Sequence, residues 1–541
     1  MSPRSVAKFR YFRTIAEAAL LSIALTVSSC SSVKPNASQK ISLAMQEDPL
    51  SLDPRQVRLV SNITLVKHLF EGLMREGSET EPPQPALIEE YFLSEDQKTY
   101  TFKLKKSFWH NGDPVTAYDF KDSWIQLLSK DFPTIFGYVF DGIKGAKAFR
   151  TGKGLREDIG ITSPNDATLI VELEHPLSYF LDLLTLPAFL PVHKSARSPH
   201  VIGIGTEPFV FNGAFVIDNR KPGHSLTLKK NLHYHDEHKV RLEKIEIKII
   251  PDSHTVHLLF EKGILDAEGP PWGGNIPVEA VETLKREGVL HSFDVAGTCW
   301  LSINTAKQPF SNEKLRRALA LSIDREAIVK YVLKENQKPA GSVLPGFRQI
   351  TVDKRFGLEI IEARTLLKEA LKELGITKED LSACSLIYSS SSYRNALIAQ
   401  TIQEQWRQHL GISLPLEAMD HKILNERRIN GHYYITTADW IADFLDPMSF
   451  LSVFEKDSGL PAYSLKSPEF SNLVDLISNE TDEAIRGDLI QKAERFLSTE
   501  IKVIPLYHHS FACALKKSVC DVRFSHLGTM DFRYAGLSNP H

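Results

Sequence analysis

The sequence predicts an α/β protein of two or three domains. Strand-like and helix-like segments follow one another along the whole chain, as in sheets covered by helices rather than in a bundle or a sandwich. At 541 residues the chain exceeds what one hydrophobic core serves. Its composition is that of a folded protein, 42% hydrophobic and 24% charged, with no low-complexity tract.

Taken in order, residues 41–45 read as a short strand. Residues 62–74 read as a helix, because Leu65, Leu69, Leu73 and Met74 share a face. Residues 99–103 alternate as a strand, and 117–128 form a helix with Asp119 near its start. Strands follow at 224–228 and 242–250, the second aligning Ile245, Ile247 and Ile249 on one side. Residues 255–263 form a helix that Gly263 stops. A fresh unit begins near Leu290 with a strand at 299–304. Ser311 is placed to cap a helix carrying Leu315, Ala318, Leu319 and Leu321, and Asp324 to cap 325–333. Residues 363–374 form a helix closed by Gly375. A strand at 385–388, a helix at 396–410 stopped by Gly411, and a strand at 412–416 complete the second unit. No internal repeat is evident.

The N-terminus reads as an export signal. Residues 1–13 are basic, and residues 14–27 are mostly apolar, interrupted by Glu17, and too short to span a bilayer. Val27-Ser28-Ser29-Cys30 resembles the lipobox of bacterial lipoproteins, whose cysteine is acylated; an ordinary signal peptide cleaved near a chance cysteine is the alternative. Residues 31–39, rich in Ser, Pro and Asn, would then be a flexible tether. Removing residues 1–29 takes away four basic residues and one acid, so the formal net charge moves from −3 to −6. That balance excludes a polybasic membrane patch and any strong case for nucleic acid. Cys299, Cys384, Cys513 and Cys520 form no C-x-x-C pair. Cys513 and Cys520 are spaced so that they can bridge, or all four are buried thiols.

Asp443 is the residue that calls for explanation. It lies in Ala438-Asp439-Trp440-Ile441-Ala442-Asp443-Phe444-Leu445-Asp446-Pro447, an acid within an apolar and aromatic run. Burying a carboxylate there is costly unless a cation meets it, from this chain or from a ligand. Alternatively Asp443 caps the turn before Asp446-Pro447.

Blocks spread over residues 41–537 resemble the family 5 solute-binding proteins of ABC transporters, the oligopeptide-binding type. Leu52-Asp53-Pro54 and Leu69-Phe70-Glu71-Gly72-Leu73 come first, then Pro85-Ala86-Leu87-Ile88-Glu89 and Tyr100-Thr101-Phe102-Lys103-Leu104. The most specific block runs from Trp109 through Asn111-Gly112-Asp113-Pro114-Val115-Thr116-Ala117 to Phe120. Asn212-Gly213-Ala214-Phe215, Ile323-Asp324-Arg325 and Ile504-Pro505-Leu506-Tyr507 extend the match to the C-terminal end. The resemblance implies a two-lobed α/β periplasmic binding protein fold (class II, large peptide-binding type) with a central cleft, a hinge and an extra inserted domain. The expected divisions are a signal peptide at 1–29, a lipid-anchored tether at 30–40, one lobe from 41–75, 190–290 and 503–541, the inserted domain at 76–189, and the other lobe at 291–502. Trp440, Ala442, Asp443, Pro447, Ser449, Phe450 and Leu451 meet the family's Trp-x-Ala-Asp-x-x-x-Pro-x-Ser-Phe-Leu pattern. By that match Asp443 pairs with the α-ammonium of an extended peptide, with Trp440, Ile441 and Glu71 among the ligand contacts. Arg428, fifteen residues before Asp443, and Arg394, beside Asn395, are the candidates for the carboxyl end, since Thr437 and Asn395 stand where family members carry a cation or a histidine.

The implied protein is a lipid-anchored monomeric receptor, periplasmic or at the cell surface, lipidated at Cys30. It would hand oligopeptides to a permease and ATPase complex; the same fold bound to a metal chelate, haem or a sugar oligomer is the alternative. No enzyme, metal or cofactor is expected. The run His233-Tyr234-His235-Asp236-Glu237-His238 matches no zinc spacing, His508 and His509 point to opposite faces of a strand, and residues 389–392 lack a nucleophile elbow.

Overall fold

A computed structural model describes residues 39–77, 81–197, 209–347, 357–390, 393–455, 465 and 467–538; residues 1–29, expected to be an export signal, and Cys30 lie outside them. One four-stranded sheet has the order Lys40–Met45, Lys244–Ile249, Ser225–Lys230, Phe215–Lys221. Its first pair is parallel and the others antiparallel. The alternation read from the sequence points Ile41, Leu43, Ile245 and Ile247 into the core. A second, antiparallel sheet joins Ile88–Leu93, Thr99–Leu104, Thr168–Glu172 and Ile161–Asn165. The helix Ala117–Leu127 lies against it, started by a capping box in which the Asp119 carboxylate accepts from the Thr116 amide.

The largest sheet is built around Leu290–Ile303 and Val503–Leu515, which run antiparallel to each other. Ala267–Glu268 pairs at one end. Ile435–Ile441, Leu386–Ser389 and Leu416–Met419 extend the sheet at the other. At their opposite ends the two long strands enter different hydrophobic cores. Leu290 and Ala514 pack with Val256, Phe260 and Leu284. Cys299, Leu301, Ile303, Ile504 and Leu506 pack instead beneath the helices Glu313–Leu321, Ile360–Leu374 and Tyr393–Leu410. Between the two, register breaks from Asp294 to Thr298 and again from Cys299 to Trp300 bend the pair. These are two lobes joined by a shared, bent ribbon.

Several local expectations change. The helix expected over 62–74 is Val60–Leu69 and stops there. Phe70 is extended, the Leu69 carbonyl accepts from Gly213, and Gly72 and Leu73 accept from Leu87 and Ala86. A Cβ on Gly213 would lie 2.5 Å from the Leu69 carbonyl carbon, so the close approach requires glycine. Asn312, not Ser311, caps Glu313–Leu321 by accepting from Leu315 at 3.0 Å. The strand expected at 412–416 lies at Leu416–Met419, because Ile412 and Leu414 are buried in the connection after Gly411. The strand expected at 299–304 is the end of a fourteen-residue strand. Cys299, Cys384 and Cys513 are buried free thiols, so Cys513 does not bridge to Cys520; Cys520 donates to the Gly536 carbonyl.

Candidate functional site

Strand Ile435–Ile441 pairs with Leu290–Ile303 down to Ile441 opposite Gly297, then leaves the sheet as an irregular turn. Four contacts shape that turn. Asp446 takes the Arg486 guanidinium bidentately at 2.9 and 2.7 Å and accepts from the Met448 amide at 2.9 Å. The Ser449 hydroxyl accepts from the Asp443 amide at 2.6 Å. The Trp440 indole donates to the Ser449 carbonyl at 2.9 Å, which fixes its ring. So the turn is held by Asp446, Arg486 and Ser449, and the capping role considered for Asp443 falls to Asp446.

The Asp443 carboxylate is left for something else. Among the described residues its one hydrogen bond comes from the Tyr138 hydroxyl at 2.8 Å, and no Lys or Arg pairs with it. Burial pushes its carboxyl from 3.8 up to about 6, against the lowering effect of the Tyr138 hydrogen bond. Tyr138 belongs to the turn Phe136–Phe140 after the helix Ala117–Leu127, so the contact crosses from one side of a cleft to the other.

That cleft is a cavity of about 820 Å³. Asp443, Trp440, Ile441 and Arg428 line it from one wall; Tyr138, Phe136 and Ile63 line the other. Arg428 stands in the last turn of the helix His421–Ile429, where the carbonyl end favours a cation. It is buried and donates to Asn425 Oδ1 at 3.3 Å. One wall therefore carries a carboxylate that no described Lys or Arg meets and a buried guanidinium, with an indole and an isoleucine between them in sequence.

Arg394 and Glu71 lie elsewhere. Arg394 starts the helix Tyr393–Leu410 and pairs with the buried Glu335 at 2.7 Å, outside the lining of the cleft. Glu71 is buried between Arg75, at 2.8 Å, and Arg533, at 3.2 Å, and also accepts from the Tyr234 hydroxyl. Burial alone would raise its carboxyl, but Arg533 and Arg75 hold it well below the usual range. It lines a separate chamber of about 470 Å³ that shares Lys67, Glu76 and Thr529 with the cleft. The histidine-rich run is drawn into this same cluster, with the His235 ring tilted against Tyr234 at 4.6 Å between centroids and 3.5 Å from Glu71. Tyr138 and Arg486 escaped the sequence reading. Neither has a local signature, since each meets its partner only through the fold, Tyr138 across 305 positions.

Residues 82–461 match the bacterial extracellular solute-binding proteins, family 5 (middle region), and the chain belongs to that family. Among curated relatives, the oligopeptide-binding protein OppA of Bacillus subtilis is 32% identical over 504 residues, covering 92% of each chain. The dipeptide-binding protein DppE of the same organism is 31% identical, covering 91% of this chain and 90% of its own. Among solved structures, a periplasmic oligopeptide-binding protein of Borrelia burgdorferi superposes with a TM-score of 0.79 at 24% identity, over 92% of this chain and 100% of its own. The last comparison establishes the two-lobed fold.

Proposed function

We propose that the protein is the receptor of an ABC transporter for oligopeptides, holding them extended between its lobes and passing them to a permease and ATPase complex. The observation that carries this reading is Asp443: a carboxylate on the cleft wall, served by a phenol and by no cation among the described residues. A free peptide brings an ammonium to meet it, and that charge-assisted contact is worth most where water is excluded. The names of the curated relatives, oligopeptide- and dipeptide-binding proteins, support the same ligand class. Trp440 and Ile441 then flank the amino end, and Arg428 serves the carboxyl side. The ligand backbone pairs with main chain in the cleft, a contact blind to sequence.

Glu71 and Arg394 act in this reading as structural ion pairs rather than ligand contacts. The divisions at 75 and 189 set apart the sheet of the inserted domain, and those at 290 and 502 fall at the start of the two long strands that the lobes share. The leader through Ser29 is removed, Cys30 carries the lipid, and the monomeric receptor works outside the cytoplasmic membrane. It binds without transforming its ligand. Titration calorimetry with one peptide in free and N-acetylated forms tests the central claim: the free form binds at least about 100-fold more tightly, the scale of a stranded buried charge. Equal affinities would refute it.

A further inference from the structure

The cleft carries more positive charge than its own carboxylates neutralise. Glu76 on its wall is taken by Lys67, and Arg150 is taken by Asp141 at 2.5 Å. Arg58 and Lys130 also line the cavity, both exposed, and neither forms an ion pair with any described residue. The fold places them together. Arg55 pairs with Asp53 at 2.6 Å, donates to Gln126 at 2.7 Å and lies over the Phe132 ring at 4.5 Å. The Thr134 hydroxyl donates to the Arg55 carbonyl at 2.8 Å. These contacts bind the loop bearing Arg58 to the loop that runs from Lys130 to Tyr138.

A third source of positive potential adjoins them. The helix Val60–Leu69 begins at the same wall, with Val60 and Ile63 lining the cavity. Its start has no side-chain cap and no acid in the first turn. Its first amides thus add to the field of the two cations. The facing wall carries the exposed Asp439 and the buried Arg428 as well as Asp443, which is committed to the ligand's ammonium.

Resting on the peptide-receptor reading, we infer that this cleft selects peptides carrying acidic side chains, whose carboxylates meet the wall formed by Arg58, Lys130 and the start of Val60–Leu69. The selection is electrostatic and modest, because both cations are hydrated. It weakens as salt shortens the range of their field.

The experiment is titration calorimetry of the full chain with free tetrapeptides of alanine carrying Glu or Gln at position 2, 3 or 4, at low and at high ionic strength. At one position or more the Glu peptide should bind about threefold to tenfold more tightly than its Gln twin at low salt. That ratio should shrink at high salt and fall to near one in the double variant Arg58→Gln, Lys130→Gln. Equal affinities at every position, a preference for Lys peptides, or a Glu advantage that survives the double variant would overturn the inference while leaving peptide binding intact. Failure of every peptide to bind would overturn the peptide-receptor reading, and this inference with it.

Discussion

Replacing Asp443 by Asn should move affinity and stability in opposite directions. The carboxylate faces the cleft with one hydrogen bond, from Tyr138, and its carboxyl sits near 6 rather than 3.8. A carboxyl whose folded value is raised binds more protons in the folded state than in the unfolded one between those two values. Stability therefore falls as pH rises from about 4 to about 6, and the deficit persists at neutral pH. A rise from 3.8 to about 6 corresponds to about 3 kcal/mol, which solvent in the cleft reduces to about 1–3 kcal/mol. Asn keeps the shape and accepts from Tyr138, so the ligand-free variant should be more stable by about that amount at pH 7. It should also lose the pH slope. Affinity should drop by about 3–5 kcal/mol, because the peptide's ammonium then enters the cleft without a counter-charge. In the unaltered protein, affinity should climb from pH 5 to pH 7 as Asp443 ionises, and fall again above about 8 as the ammonium deprotonates. Denaturant titrations across pH, with calorimetry on one free peptide, read all of this. Unchanged affinity, or a variant less stable than the parent at pH 7, would refute the reasoning.

Other outcomes follow from contacts away from the ligand. Arg486→Ala strands the buried Asp446 carboxylate and should lower stability by about 3–5 kcal/mol in denaturant unfolding. It should also weaken peptide binding, since the same turn presents Asp443. Gly213→Ala forces a Cβ to 2.5 Å from the Leu69 backbone and should cost at least about 2 kcal/mol, visible as a lowered unfolding midpoint. Cys30→Ala should release the protein from membranes in a fractionation assay without changing its peptide affinity.

The layered α/β architecture was legible because its elements are patterned locally. Ile245 and Ile247 alternate, Asp324 caps its helix, and Gly375 closes another with a left-handed φ of +66°. Where the reading slipped, tertiary contact overrode spacing. Leu73 and Met74 continue the helical face of Leu65 and Leu69 but are claimed by strand pairing with residues 84–87. Within the site, Asp443, Trp440, Ile441 and Arg428 stand close in sequence, and the structure sets all four on one cavity. Glu71 and Arg394 came from the same kind of motif matching, but sequence does not reveal that Arg533 and Glu335 neutralise them. Nor does it reveal Tyr138, which meets Asp443 only across 305 positions of the chain.

The two strands that enter both cores determine how this receptor can move. Leu290–Ile303 and Val503–Leu515 are hydrogen-bonded to each other on either side of the register break, so the lobes hang on a two-ply strip rather than on separate strings. Such a strip flexes across its face and resists shear in its plane. Opening is thereby confined to a narrow family of rotations, and the walls bearing Tyr138 and Asp443 return to the same alignment at each closure. A ligand need not gather two freely tumbling bodies, so little of its contact energy is consumed in ordering them. Sliding the strands by one residue would turn the Cys299 side of the ribbon outward and set both lobes out of register at once.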